Sequence, residues 1–234
     1  MATSLPTAAL YANPQHVRDP DEVVAKLIQV LPGLDAKKLL RDLSSDRTFV
    51  WLHRKLTPKL QFAVNALGIP GLNFQRAERR VYPHGSLVSH VLGIANIDGQ
   101  GLSGVEGYFD NQLRERRQPL QLSLDIRIQA LVRAELVAAT EAFSAIGAAA
   151  IVLDVNTGEI ISMVSLPDFN PNEPVTAAGI AGFNRATKGV YEMGSTFKLF
   201  TVAMALDTGQ VQLRDRYDAT KPIKVSRFTI SDYH

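Results

Sequence analysis

One octapeptide and the helix behind it set the terms for the rest of the chain. Tyr191-Glu192-Met193-Gly194-Ser195-Thr196-Phe197-Lys198 leads into Leu199-Phe200-Thr201-Val202-Ala203-Met204-Ala205-Leu206. The second run is apolar on nearly every face, which predicts a buried helix. Asp207-Thr208-Gly209 supplies its stop, with Gly209 suited to the left-handed position after a helix. Ser195 and Lys198 are three apart, so on a helix their side chains share a face. A serine hydroxyl is a poor nucleophile near neutral pH and needs an adjacent base. A lysine can serve when burial or nearby positive charge lowers its pKa. Gly194 leaves room for a tight entry and puts Ser195 at the helix N-terminus, where free N–H groups favour negative charge on an acyl oxygen. The pattern S-x-x-K is cheap by itself. A lysine that opens a wholly apolar helix is less ordinary.

Composition narrows the alternatives. The 234 residues suffice for one or two domains, and 46% apolar with 21% charged is an ordinary globular balance. A net charge of +2 gives no case for nucleic acid. The basic clusters Arg76, Arg79, Arg80 and Arg114, Arg116, Arg117 read as solvated surface. Without cysteine, disulfides, thiolate metal sites and a cysteine nucleophile are excluded. No uncharged run reaches the ~18 residues of a membrane span. Met1-Ala2-Thr3-Ser4 leads straight into an extended segment, so no signal peptide is expected. His16, His53, His84, His90 and His234 lack zinc-ligand spacing, which points to no metal. Glu192, Asp154 and Asp168 read as loop and turn residues and not as catalytic carboxylates.

Taken in order, Ala2 to Ala12 is expected to be extended, with Pro6 inside it. Helices follow from Asp19-Pro20-Asp21-Glu22, over Asp35 to Leu43, and from Thr57-Pro58 to Leu67. Phe49 to Leu52 and Leu72 to Tyr82 are expected strands. The glycine-dense stretch Gly93 to Gly107 reads as a turn between short helices. Arg114 to Leu120 reads as a connector between domains, and Leu120-Gln121-Leu122-Ser123 as a strand. Asp125 caps an expected helix to about Phe143, with Ile128, Leu131, Leu136 and Ala139 towards the core. Ala148 to Val155 and Glu159 to Ser165 form a hairpin around Asn156-Thr157-Gly158. Short extended pieces follow Gly209, around Lys221-Pro222 and Phe228 to Ile230.

Several stretches together resemble the class B penicillin-binding proteins, and most closely their cell-division transpeptidases. Gly194-Ser195-Thr196-Phe197-Lys198 is similar to the family's nucleophile motif. Leu122-Ser123-Leu124-Asp125, the hairpin Val152 to Ile160 and the loop Ser165 to Asn172 resemble the run that opens its catalytic domain. Arg80-Val81-Tyr82-Pro83-His84-Gly85, His90-Val91-Leu92-Gly93 and Asp98 to Glu106 resemble its non-catalytic pedestal.

The resemblance implies an α+β pedestal of the dimerisation type over residues 1–118. It implies the N-terminal part of an α/β serine transpeptidase domain, penicillin-binding and β-lactamase-like, over 119–234. Ser195 would attack the D-Ala-D-Ala amide of a peptidoglycan stem peptide while Lys198 takes and returns the proton. β-Lactams would trap Ser195, no cofactor or metal would be needed, and membrane proteins of the division complex would be partners. The location would be the periplasmic face of a bacterial inner membrane. The family's S-x-N and K-[ST]-G motifs do not occur in the sequence, and neither does an anchor helix. The chain is therefore expected to be an internal piece of a longer protein, inactive or weakly active alone, with an open sheet edge that promotes association. Two other readings stand beside this one: a scaffold that binds division proteins, and a β-lactam sensor or serine β-lactamase.

Overall fold

The computed structural model describes residues 1–115 and 118–231, in two compact units, Met1–Gly189 and Val190–His234. Arg116 and Arg117, in the expected connector and basic cluster, and His234 lie outside the described residues.

The first unit opens with β1 (Thr3–Ala12), followed by α1 (Pro20–Val30), α2 (Ala36–Leu43), β2 (Val50–Leu56), α3 (Pro58–Asn65) and β3 (Leu72–Val81). The strands form an antiparallel sheet in the order β2-β1-β3. Each helix starts where its capping residue predicts. Asp19 Oδ1 accepts from the Glu22 amide at 3.0 Å, Asp35 Oδ1 from Lys37 at 2.9 Å, and Thr57 Oγ1 from Leu60 at 3.4 Å. Alternation along β1 turns Ala8, Leu10 and Ala12 into a core with Val24 and Leu27 of α1, Leu39 and Leu43 of α2, and Val64 of α3. A proline in a central strand needs an explanation. Pro6 pairs with Glu78 of β3, whereas β2 joins β1 only from Ala8 onward, so Pro6 has a strand on one side alone.

After β3 come α4 (Ser89–Leu92), α5 (Gly104–Tyr108) and α6 (Asp110–Glu115), tied by backbone passing close to backbone. A Cβ on Gly93 (φ +75°) would lie 2.0 Å from Ser103 O, and one on Gly101 1.9 Å from Glu106 O, so no larger residue fits either position. Glu106 is buried and accepts from Arg80 Nε at 2.7 Å. Beside it lies Tyr82, 2% exposed, whose hydroxyl accepts from the Ala95 amide at 3.1 Å. Burial, and then the Glu106 charge, pushes the Tyr82 phenol up to about 12. An unfolded tyrosine releases its proton near pH 10. Between these values the unfolded chain is deprotonated while the folded one is not. Stability that is fully present below pH 10 is therefore lost as the pH rises to 12, by about 2 kcal/mol. Thermal melts at pH 9 and pH 11 check this: Tyr82→Phe is expected to lose less stability than the parent between the two, and equal losses would refute the assignment.

The remainder of this unit comprises α7 (Ile126–Ala142), β4 (Ala148–Leu153), β5 (Ile160–Leu166) and α8 (Arg185–Lys188). β4 and β5 form the expected antiparallel hairpin, and Asp154 Oδ1 accepts from the Asn156 and Thr157 amides in its turn. Two expectations are corrected. Leu120–Ser123 is no strand; among the described residues it is joined to β5 by a single hydrogen bond, from Ser123 Oγ to Ile160 O at 2.7 Å, and the Asp125 amide just beyond it donates to Ile161 O. Leu131 is 62% exposed, because α7 turns Gln129 and Arg133 inward instead.

The second unit holds α9 (Lys198–Asp207) and a small hairpin, β6 (Ile223–Val225) with β7 (Phe228–Ile230). Here the buried-helix expectation fails. Leu199, Phe200, Val202 and Met204 are all more than half exposed, since no described residue packs a core against them.

Candidate active site

The serine and lysine sit where the chain enters α9. Gly194, at φ +53°, turns the backbone into one 3-10 turn, Gly194–Phe197, and the α-helix proper begins at Lys198. Ser195 thus lies in a 3-10 turn that runs directly into the α-helix; such turns are frequent at helix starts. The Lys198 amide donates to Ser195 O, and the Thr196 amide to Met193 O at 3.1 Å. These bonds hold Ser195 and Lys198 on a single turn. Both residues are exposed, and no hydrogen bond joins their side chains among the described residues. The Phe197 and Phe200 rings stack obliquely at 5.4 Å beside them. The far end of the helix closes as its sequence implies: the Gly209 amide donates to Leu206 O and Thr208 Oγ1 to Met204 O.

Asp154 and Asp168 have structural partners. Asp154 organises its turn, and Asp168 accepts from Arg133 Nε at 2.6 Å and Nη2 at 3.3 Å. The Asp168 carboxylate raises the Arg133 guanidinium's already high pKa further. His90 donates through Nε2 to Pro167 O at 3.3 Å, and burial lowers its pKa. Among the described residues no group of three or more His, Asp or Glu is placed to hold a metal ion. No helix of the described residues is long and apolar enough to cross a membrane.

Two side chains that attract no notice in the sequence brace the first compact unit. Gln129, 1% exposed, donates through Nε2 to Leu87 O at 2.9 Å and Met163 O at 2.8 Å. Its Oε1 accepts from Ser162 Oγ at 2.8 Å and from the Met163 amide at 2.9 Å. Asn172 grips Tyr82 in both directions: its Oδ1 accepts from the Tyr82 amide at 3.0 Å, and its Nδ2 donates to Tyr82 O at 2.9 Å. An amide on a helix and an asparagine in an Asn-Pro-Asn loop look solvent-facing in sequence, so neither gives a prior signal.

Comparison with known families gives a direct match. Residues 1–126 match the penicillin-binding protein dimerisation domain. The chain belongs to this family. Residues 148–234, which include Ser195 and Lys198, match the penicillin-binding protein transpeptidase domain. Among relatives of this family, the probable peptidoglycan D,D-transpeptidase FtsI of Caulobacter vibrioides is 42% identical over all of this chain and 40% of its own length. The probable peptidoglycan D,D-transpeptidase PenA of Neisseria meningitidis is 32% identical over all of this chain and 45% of its own. Peptidoglycan D,D-transpeptidase FtsI of Escherichia coli is 29% identical over 99% of this chain and 45% of its own. The chain thus spans less than half the length of these relatives. In fold it resembles penicillin-binding protein 2X of Streptococcus thermophilus, with a TM-score of 0.68 at 21% identity, over all of this chain and 42% of that one.

Proposed function

We propose that this chain supplies the nucleophile and base of a peptidoglycan D,D-transpeptidase of the division septum. The observation that carries the reading is the Ser195–Lys198 pair on one turn, inside the segment matched to the transpeptidase domain. Ser195 Oγ attacks the carbonyl carbon between the two terminal D-alanines of a stem peptide, and Lys198 Nζ accepts the hydroxyl proton. That proton passes to the departing amine, the last D-alanine leaves, and an acyl-enzyme on Ser195 remains. An amino group of a neighbouring stem peptide then takes the acyl chain, which forms the crosslink and restores the serine. A β-lactam opens on Ser195 in the same first step and stays attached. No cofactor takes part.

In this reading, residues 1–118 are the pedestal, which meets membrane partners of the division complex at the periplasmic face, and 119–234 begin the catalytic domain. The dimerisation-domain match favours this over a lone β-lactamase. The 234 residues alone leave Ser195 and Lys198 open to solvent, without the walled cleft that acyl transfer uses. Their own acylation is therefore slow.

A hybrid tests the assignment. Residues 1–234 replace the matching segment of the Caulobacter vibrioides relative, and fluorescent penicillin labelling is followed on a denaturing gel. The folded hybrid is expected to label on the tryptic peptide from Gly189 to Lys198, and Ser195→Ala to abolish the signal without changing the melting temperature. Equal labelling of the Ser195→Ala hybrid, or an adduct on another residue, would remove Ser195 from the role.

A further inference from the structure

A cavity lies wholly within the first compact unit. It measures about 370 Å³, inside the range of about 300–1,000 Å³ common for small-molecule sites. Its walls are Val91, Val105 and Phe109 on the α4–α5 side, and Met163 and Phe169 from β5 and the loop after it. Polar side chains also line it, Ser103, Asn184 and Thr187 among them. Ser89 lines the cavity, is 1% exposed, and its hydroxyl has no hydrogen-bond partner among the described residues. His90 commits Nε2 to Pro167 O, which leaves Nδ1 of the neutral ring as an acceptor. Lys188 of α8 also lines it, exposed, and no salt bridge holds it among the described residues.

The charge around this space is one-sided. No carboxylate lines the cavity. The nearest acidic group acting on His90 is Asp168, and Arg133 already neutralises it; the other charge acting on His90 is the cation Arg185. Apolar walls, an uncompensated cation in the lining and a buried hydroxyl without a partner suit one kind of guest. We propose that the cavity binds a small organic carboxylate whose apolar or aromatic body fills the space between Phe109, Met163 and Phe169 while its head group meets Lys188. Because the walls come from the α4–α5 side and from the β5 side alike, such a guest fastens the two together.

The 234-residue chain is tested with 2-naphthoate and its neutral counterpart 2-naphthamide, by ligand-observed NMR titration and by thermal melting. The expected result is a single saturable site that prefers 2-naphthoate about tenfold. Lys188→Glu weakens naphthoate at least about tenfold and leaves 2-naphthamide unchanged. Val105→Trp fills the cavity and abolishes both. The exposed Lys188 side chain makes Lys188→Glu a safe variant for folding, so it decides the matter if Val105→Trp does not fold. Absence of saturable binding, equal affinity for acid and amide, or binding indifferent to Lys188→Glu would overturn the proposal. Uptake by the exposed apolar face of α9 belongs to the last of these outcomes.

Discussion

Lys198→Met, made in the hybrid that carries residues 1–234, is expected to slow acylation by penicillin by about 10²–10⁴-fold, the usual contribution of a positioned general base. Methionine keeps the length and the helix preference of lysine and removes only the amine. Lys198 is exposed and its structural bond, to Ser195 O, is made by the backbone amide, so the substitution leaves the turn intact. The loss should therefore fall on the rate constant for labelling and not on stability. Second-order rate constants from gel fluorescence, beside melting curves, separate the two. An unchanged rate in a folded Lys198→Met hybrid would assign the proton transfer to another group.

Gln129→Leu is expected to destabilise the first unit by about 3–5 kcal/mol, a large share of the roughly 5–15 kcal/mol that holds a typical domain together. Leucine matches the volume but makes none of the four bonds. It strands Ser162 Oγ in a buried space, and Leu87 O, Met163 O and the Met163 amide in a partly buried one. Each such orphan costs about 1–3 kcal/mol, and partial relaxation keeps the total below the sum. Gln129→Glu sharpens the test. A carboxylate still accepts from Ser162 and Met163, but it sets negative oxygens against two carbonyls that need donors. Urea denaturation followed by circular dichroism measures both variants. A shift under about 1 kcal/mol for Gln129→Leu would show that the network contributes little.

Local signals read well where the chain is punctuated. Asp19-Pro20, Asp35 and Thr57-Pro58 announce helix starts through caps that need no distant partner, and all three are found. The β4–β5 hairpin follows from Asn156-Thr157-Gly158 for the same reason. Errors arise where an assignment depends on what lies across the fold. Leu120-Gln121-Leu122-Ser123 alternates like a strand, yet a strand needs a partner ladder and this segment makes one side-chain bond to β5, from Ser123. On α7, hydrophobicity chose Leu131 as an inward residue, whereas Gln129 and Arg133 take that place by meeting carbonyls and Asp168. Of the candidate site, the spacing of Ser195 and Lys198 and the turn at Gly194 were legible, because the five consecutive residues Gly194 to Lys198 carry both. The surroundings of α9 were not, because an apolar sequence states what a helix seeks and not what it has met.

The clasp between Asn172 and Tyr82 spans 90 positions of sequence. It imposes a schedule on a nascent chain. While the ribosome is still working, the three-stranded sheet and its helices have everything they need once β3 has emerged. The backbone at Tyr82 does not. At about 5–20 residues per second, the asparagine that secures it is made roughly 5–20 s later. During that interval the Tyr82 carbonyl can meet the nearby Gly85 amide, but the Tyr82 amide relies on water, and the early part of the molecule waits, folded but unlatched, for its own later sequence.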